Sequence, residues 1–256
     1  RLRLLAELTE AGHRIGRVAG LETERLREMA AAERRERGED RPGGESGETD
    51  RELVDELLEA VRRYDGDRLE RAFRRAALAL TAHGLIQRVV APLLQRIGEA
   101  WDEGTISPAQ EHLASGVAMR TLGWVLETSE PEPDAPRAVV ATPSGQRHNL
   151  GALLAAATAA AAGWRVSYLG GDLPGEEIAR AARELGARAV ALSLVHPETA
   201  DFLEDLRQIG SGTPGDVTLL VGGRAAEAER AAVADAGWRL LGDYGDLERA
   251  LEELGG

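Results

Sequence analysis

The stretch RAVVATPSGQRHNLG, Arg137 to Gly151, passes from an apolar strand-like run through a polar turn into the start of an alanine-rich helix. A short β-rich run closed by Pro, Ser and Gly before a helical period is the opening of a βαβ unit. The alternation continues to the C-terminus. RVSYLG, ARAVALSLV, DVTLLVGG and WRLLG are β-rich, and amphipathic or alanine-rich helical stretches separate them. This pattern predicts a parallel sheet covered on both faces, a doubly wound, Rossmann-like α/β domain over 137–256. Ligands of such sheets bind beyond the carboxyl ends of the strands, at the switch point. The loops that gather there are PSGQRHNLG, GGDLPGE, SLVHPET and GGRAAE.

His148 lies in the first of these loops, three residues before Gly151, where a ligand would sit. His13 in HRIG has the same spacing but not the same context. Imidazole is a good donor to cobalt, iron or zinc, yet no second His, Cys or carboxylate stands at ligand spacing, which argues against an all-protein metal site. If His148 binds a metal, a macrocycle supplies the other ligands, and Gly151 lets the helix start run close beneath it. Position alone leaves a metal ligand and an ordinary loop histidine both open. No phosphate-binding glycine fingerprint follows the first strand. The pairs Gly170–Gly171 and Gly222–Gly223 are expected at neighbouring strand ends, where they leave a groove for a slender ligand tail or serve as turn glycines. Ser193 ends the third strand and is a candidate donor within that groove, or an ordinary strand-end serine.

Upstream the period is helical. RELVDELLEAVRRY, DRLERAFRRAALALTAHG, LIQRVVAPLLQRIGEAWDEG and SPAQEHLASGVAMRTLGWVLE repeat apolar residues at i, i+3, i+4 and i+7, which predicts a four-helix bundle over 50–128. The Pro-rich segment 129–136 reads as a hinge, 38–49 as a linker and 1–37 as a helical N-terminal segment.

The 256 residues are enough for two domains. Cysteine is absent, which excludes disulfides and thiolate sites and fits a reducing cytoplasm. The longest apolar stretch, ALLAAATAAAAGW, is too short to span a bilayer, so no membrane partner is expected. A net charge of −13 opposes general binding to a phosphate backbone.

The combination of R-H-x-x-G after the first strand, Ser193 at the end of the third and Gly222–Gly223 after the fourth resembles the cobalamin-binding domain that holds its cofactor base-off. The resemblance implies His148 as the lower cobalt ligand and a benzimidazole tail lying beside Ser193 and the Gly-Gly positions. The motif W-x9-E-H in AWDEGTISPAQEHLAS, Trp101 with Glu111 and His112, is similar to the cap of CarH/LitR-type adenosylcobalamin photoreceptors of the MerR superfamily. It implies that these three residues surround the upper adenosyl group. An indole shields adenine and a carboxylate accepts hydrogen bonds from ribose. RLRLLAELTEAGHRIGRVAGL resembles the later helices of a MerR-type DNA-binding domain, whose first helix-turn-helix and wing would precede Arg1.

Two departures limit the transfer of roles. Gln146 replaces the acid that would hydrogen-bond the ligating imidazole, and Asn149, Leu150 and Ala152 also differ from the methyltransferase pattern. Asp102 stands where CarH-type repressors carry a second histidine, which leaves His112 or water as the upper ligand after illumination. The expected protein is therefore a cobalamin-binding light sensor and homo-oligomer, not an enzyme, with no specific duplex DNA binding by this chain. A second chromophore of the photocobilin branch, biliverdin, would be noncovalent because no cysteine is present. The rivals are a corrinoid methyl carrier and a light-independent cobalamin-responsive regulator.

Overall fold

The computed structural model describes residues 45–195 and 202–255, together with isolated positions among the first 29. Two units emerge, 1–55 and 56–256. In the first, Leu8, Val18 and Leu26 are buried in a small cluster with Leu21 and Met29. The remainder of the 1–37 segment, His13 included, and residues 196–199 of the SLVHPET loop lie outside the described residues.

The helical layer consists of α1 (Glu45–Arg62), α2 (Gly66–Ala79), α3 (Ala82–Leu85), α4 (Ala91–Asp102) and α5 (Pro108–Glu127). α1 starts within the stretch expected as linker, where ESGETD is rich in residues favoured at helix starts. α3 and α4 are joined through a π turn, Ile86–Val90, placed just before Pro92. Proline lacks the N–H that the regular ladder requires, and a π turn is one way to take up the mismatch. Thus one of the expected helices is a rod with an internal irregularity. Leu69, Phe73, Leu93, Ile97, Val117, Leu122 and Val125 form the apolar interior of this layer, all at 3% exposure or less. α5 starts on a capping box in which Ser107 accepts from the Gln110 N–H and Gln110 accepts from the Ser107 N–H.

The second layer is a five-stranded, all-parallel sheet: β1 (Arg137–Pro143), β2 (Arg165–Leu173), β3 (Ala189–Ser193), β4 (Thr218–Gly222) and β5 (Arg239–Leu241), in the order β2-β1-β3-β4-β5. The helices between and after them are α6 (Leu150–Ala161), α7 (Gly175–Glu184), α8 (Phe202–Gly212), α9 (Arg224–Ala228), α10 (Arg230–Asp235) and α11 (Tyr244–Gly255). Alternation along β1 separates two cores. Ala138 and Val140 face α6 and α11, with Ala152, Ala156, Leu247 and Leu251, while Val139 and Ala141 face Ile178, Leu206 and Ile209. α6 is apolar on nearly every side because it lies between the sheet and α5, whose Leu126 packs on the same core. Its alanines bring both neighbours close.

The strand order puts the switch point between β1 and β3, where the chain turns from one side of the sheet to the other. It also corrects one expectation. Gly170–Gly171 belong to β2, whereas Gly222 ends β4 and Gly223 follows it, so β1 and β3 stand between the two pairs and no single groove wall carries both.

Candidate functional site

The loop from Pro143 to Asn149 leaves β1 at the switch point and is fixed from three sides. The Gln146 N–H donates to the Pro143 carbonyl at 3.0 Å, closing a turn in which Gly145 has φ +78°. From the β2 side, a register shift against β1 places Asp172 at φ +61°, with its Oδ1 accepting from the Gly145 N–H at 2.7 Å. Thr142 Oγ1 joins the same corner, accepting from the Asp172 N–H at 3.0 Å and donating to the Gln146 carbonyl. From α8, the buried Asp205 accepts from the Ser144 N–H at 3.0 Å and the Gly175 N–H at 2.8 Å. One carboxylate thus ties the loop to the start of α7.

Gln146 is fully buried and its Oε1 accepts from the Val195 N–H at 3.0 Å. The amide at the expected acid position therefore connects the loop after β1 to the segment after β3. His148, two residues on, is exposed. Its backbone neighbour Asn149 accepts through its carbonyl from the Tyr168 hydroxyl at 3.4 Å, and burial pushes the Tyr168 phenol above its ordinary pKa.

Beside this loop, Gly151 at the start of α6 faces the end of β3. A Cβ there would stand 2.6 Å from Ser193 Oγ and 3.6 Å from the Tyr244 hydroxyl, so glycine is required for the helix to start here. The crowding at Gly151 comes from these side chains. Among the described residues neither hydroxyl has a hydrogen-bond partner, although Ser193 is only 8% exposed. Burial lifts the Tyr244 phenol to about 12, so it remains a neutral donor. Two unengaged hydroxyls around a glycine are a suitable lining for a polar ligand tail. Tyr244 was not foreseen, because a tyrosine at a helix start carries no signal in sequence. At β4 the pair is structural in part: Gly223 has φ +107°, and a Cβ would overlap the Leu194 carbonyl at 2.1 Å.

In the helical layer, Trp101 is the penultimate residue of α4, with 43% of its surface exposed, and Glu111 and His112 lie near the start of α5. His112 Nδ1 lies 2.5 Å from Glu111 Oε2, and Ser115 donates to the other Glu111 oxygen. Asp102, next to Trp101, pairs with Arg224, which follows Gly223 at the carboxyl end of β4. The end of α4 therefore reaches the same edge of the sheet as the His148 loop. Among the described residues no group of three His, Asp or Glu is spaced to hold a metal, and no helix is long and apolar enough to cross a membrane.

A family model described as B12 binding domain matches residues 136–255, and a second model of that description matches 53–125. The two layers together define a cobalamin-binding protein, with a helical layer followed by a Rossmann-like sheet. The chain is 33% identical over 231 residues to the HTH-type transcriptional repressor CarH of Myxococcus xanthus, covering 90% of this chain and 76% of that protein. It is 30% identical over 200 residues to the repressor CarA of the same organism, covering 77% of this chain and 66% of that one. It belongs to the CarH-type family of cobalamin-binding proteins. Among solved structures, the monomethylamine corrinoid protein of Methanosarcina barkeri superposes with a TM-score of 0.62 at 18% identity, over 79% of this chain and 99% of that chain, and shares the fold.

Proposed function

We propose that this chain is a light sensor that binds adenosylcobalamin base-off, with His148 as lower axial ligand and the residues Trp101, Glu111 and His112 over the upper face. The observation that carries the proposal is the His148 loop itself. Buried Gln146 and the carboxylates of Asp172 and Asp205 hold its backbone, and His148 is exposed at the switch point. A loop so restrained presents a ligand at little entropic cost on binding. The unengaged Ser193 and Tyr244 hydroxyls, with Gly151 between them, suit the cofactor's nucleotide tail. When bound, the cofactor supplies a photolabile cobalt–carbon bond.

The chain's own part is to hold and to report. Gln146 is neutral and accepts no proton near neutral pH, so the loop lacks the acid that proton-linked cobalt cycling uses, which favours a regulator over a methyl-carrying enzyme component. Contacts between the two layers, Asp102–Arg224 and His83–Glu248, are the links whose rearrangement an altered upper face would report, with 129–136 as the hinge. The reported change is one of homo-oligomer state. Any bilin would be held noncovalently, since the chain has no cysteine.

The test is to load the chain in the dark with adenosylcobalamin or methylcobalamin and record absorption spectra and scattering mass before and after illumination. A light-dependent spectrum with a change of mass is expected for the adenosyl form. Unchanged mass and shape would contradict the sensor, and turnover with a methyl donor would establish the carrier instead.

A further inference from the structure

A cavity of about 370 Å³ lies at the amino ends of β1 and β2, the edge of the sheet opposite the His148 loop. Leu126 of α5, Ser129 of the hinge, Arg137, Trp164, Arg165 and Tyr168 are among its lining residues. Its volume is at the small end of the range of about 300–1,000 Å³ typical of ligand pockets. Three observations indicate what it takes. Arg137, half-buried, and Arg165, exposed, are register partners across the parallel pair, so two positive charges are set side by side, an arrangement that a nearby anion would favour. Neither forms an ion pair among the described residues. Arg137 reaches only Ser167 Oγ, at 3.5 Å, although the chain has 44 acids for 31 bases and the hinge acids Glu130, Glu132 and Asp134 are exposed close by in sequence. Trp164, 3% exposed, and Leu126 supply apolar wall beside these cations.

We infer that this cavity binds a small flat aromatic acid, its carboxylate or sulfonate directed to the Arg137 and Arg165 guanidinium groups and its ring against Trp164 and Leu126. Guanidinium groups recognise planar oxyanions through paired N–H donors, and an aromatic ring favours the indole wall. The ligand would touch the last helix of the helical layer, the hinge and the sheet at once. The inference stands apart from the cofactor reading.

The test uses the whole chain without cofactor. 8-Anilinonaphthalene-1-sulfonate is titrated by fluorescence, then displaced with 1-naphthoate and, separately, with its uncharged amide. One saturable site is expected, with the acid displacing the dye about ten-fold better than the amide. Arg137→Gln and Arg165→Gln should each weaken dye and naphthoate by a similar factor, and Ser129→Trp should block both by filling the cavity from the hinge. Equal displacement by acid and amide in the unaltered chain would overturn the assignment. So would the absence of a saturable site, or affinity unchanged in both Gln variants.

Discussion

Arg224 Nη1 donates to both carboxylate oxygens of Asp102, at 3.2 and 3.1 Å, linking residues 122 apart in the chain. One partner adjoins Trp101 and the other Gly223, so the pair joins the edge of the helical layer to the carboxyl end of the sheet. Both side chains are well exposed, 66% and 58%, so the pair adds only about 0–1 kcal/mol of stability. Its role is positional. Arg224→Gln should leave the melting temperature nearly unchanged while adenosylcobalamin dissociates faster, and that faster rate should lose most of its dependence on salt. Stopped-flow exchange against free hydroxocobalamin at two salt concentrations measures this, and identical rates in both proteins would remove the pair from any role at the site.

Gln146→Leu tests the loop beneath His148. The substitution takes away the acceptor of the half-buried Val195 N–H and leaves it without its partner, a cost at the lower end of about 1–3 kcal/mol. Denaturant unfolding should show that loss, and cobalamin affinity should fall with it because the loop is no longer held. A stability unchanged within error would mean that the amide is replaceable by water.

The main features of the fold were readable because each rested on local pattern. The strands from Ala138 to Val140 and from Ala189 to Leu192 are apolar without interruption, as burial on both faces requires, and the helix after Gly151 is nearly all alanine. His148 was found because it follows the first such strand. The sequence marks β2 only as far as Gly170, which looks like a stop, yet the strand continues through a register shift to Leu173, and it is this continuation that aims Asp172 at Gly145. Asp205 and Arg224 act on partners far away in sequence and Tyr244 crowds the distant Gly151, and nothing in their immediate neighbours announces it. The π turn at Ile86–Val90 was hidden for the opposite reason, since its apolar spacing continues that of an ordinary helix.

Glu248 of α11 lies 2.9 Å from His83 Nδ1 of α3, a second link between the layers. Burial pushes its carboxyl up, but hydrogen bonds from His83 and Gln87, with the charges of His83 and Arg249, outweigh this and hold it below the ordinary glutamate value. A carboxylate with a lowered folded pKa contributes stability that is fully present above its unfolded pKa and is lost as pH falls through the lowered folded value. Thermal unfolding from neutral pH down through the carboxylate range should therefore show a steeper loss in the unaltered chain than in Glu248→Gln. Parallel curves would show that the pair contributes nothing to pH dependence.

In the proposed complex Trp101 and the Glu111–His112 pair cover the upper face alone. Trp101→Ala should leave hydroxocobalamin affinity within about two-fold while lowering the preference for the adenosyl form by roughly ten-fold, the scale of one lost aromatic contact. Competition binding in the dark separates the two. Equal losses for both forms would move Trp101 off the upper face.

In the proposed complex His148, and not the cofactor's own benzimidazole, is the lower ligand of cobalt. Paramagnetic resonance of unlabelled cob(II)alamin bound to chain grown with nitrogen-15 reads this directly, because an axial nitrogen splits each cobalt line into three if it is nitrogen-14 and into two if it is nitrogen-15. Doublets are expected in the labelled chain, triplets in the unlabelled chain and neither in His148→Ala. Triplets in the labelled chain, or doublets that survive His148→Ala, would contradict it.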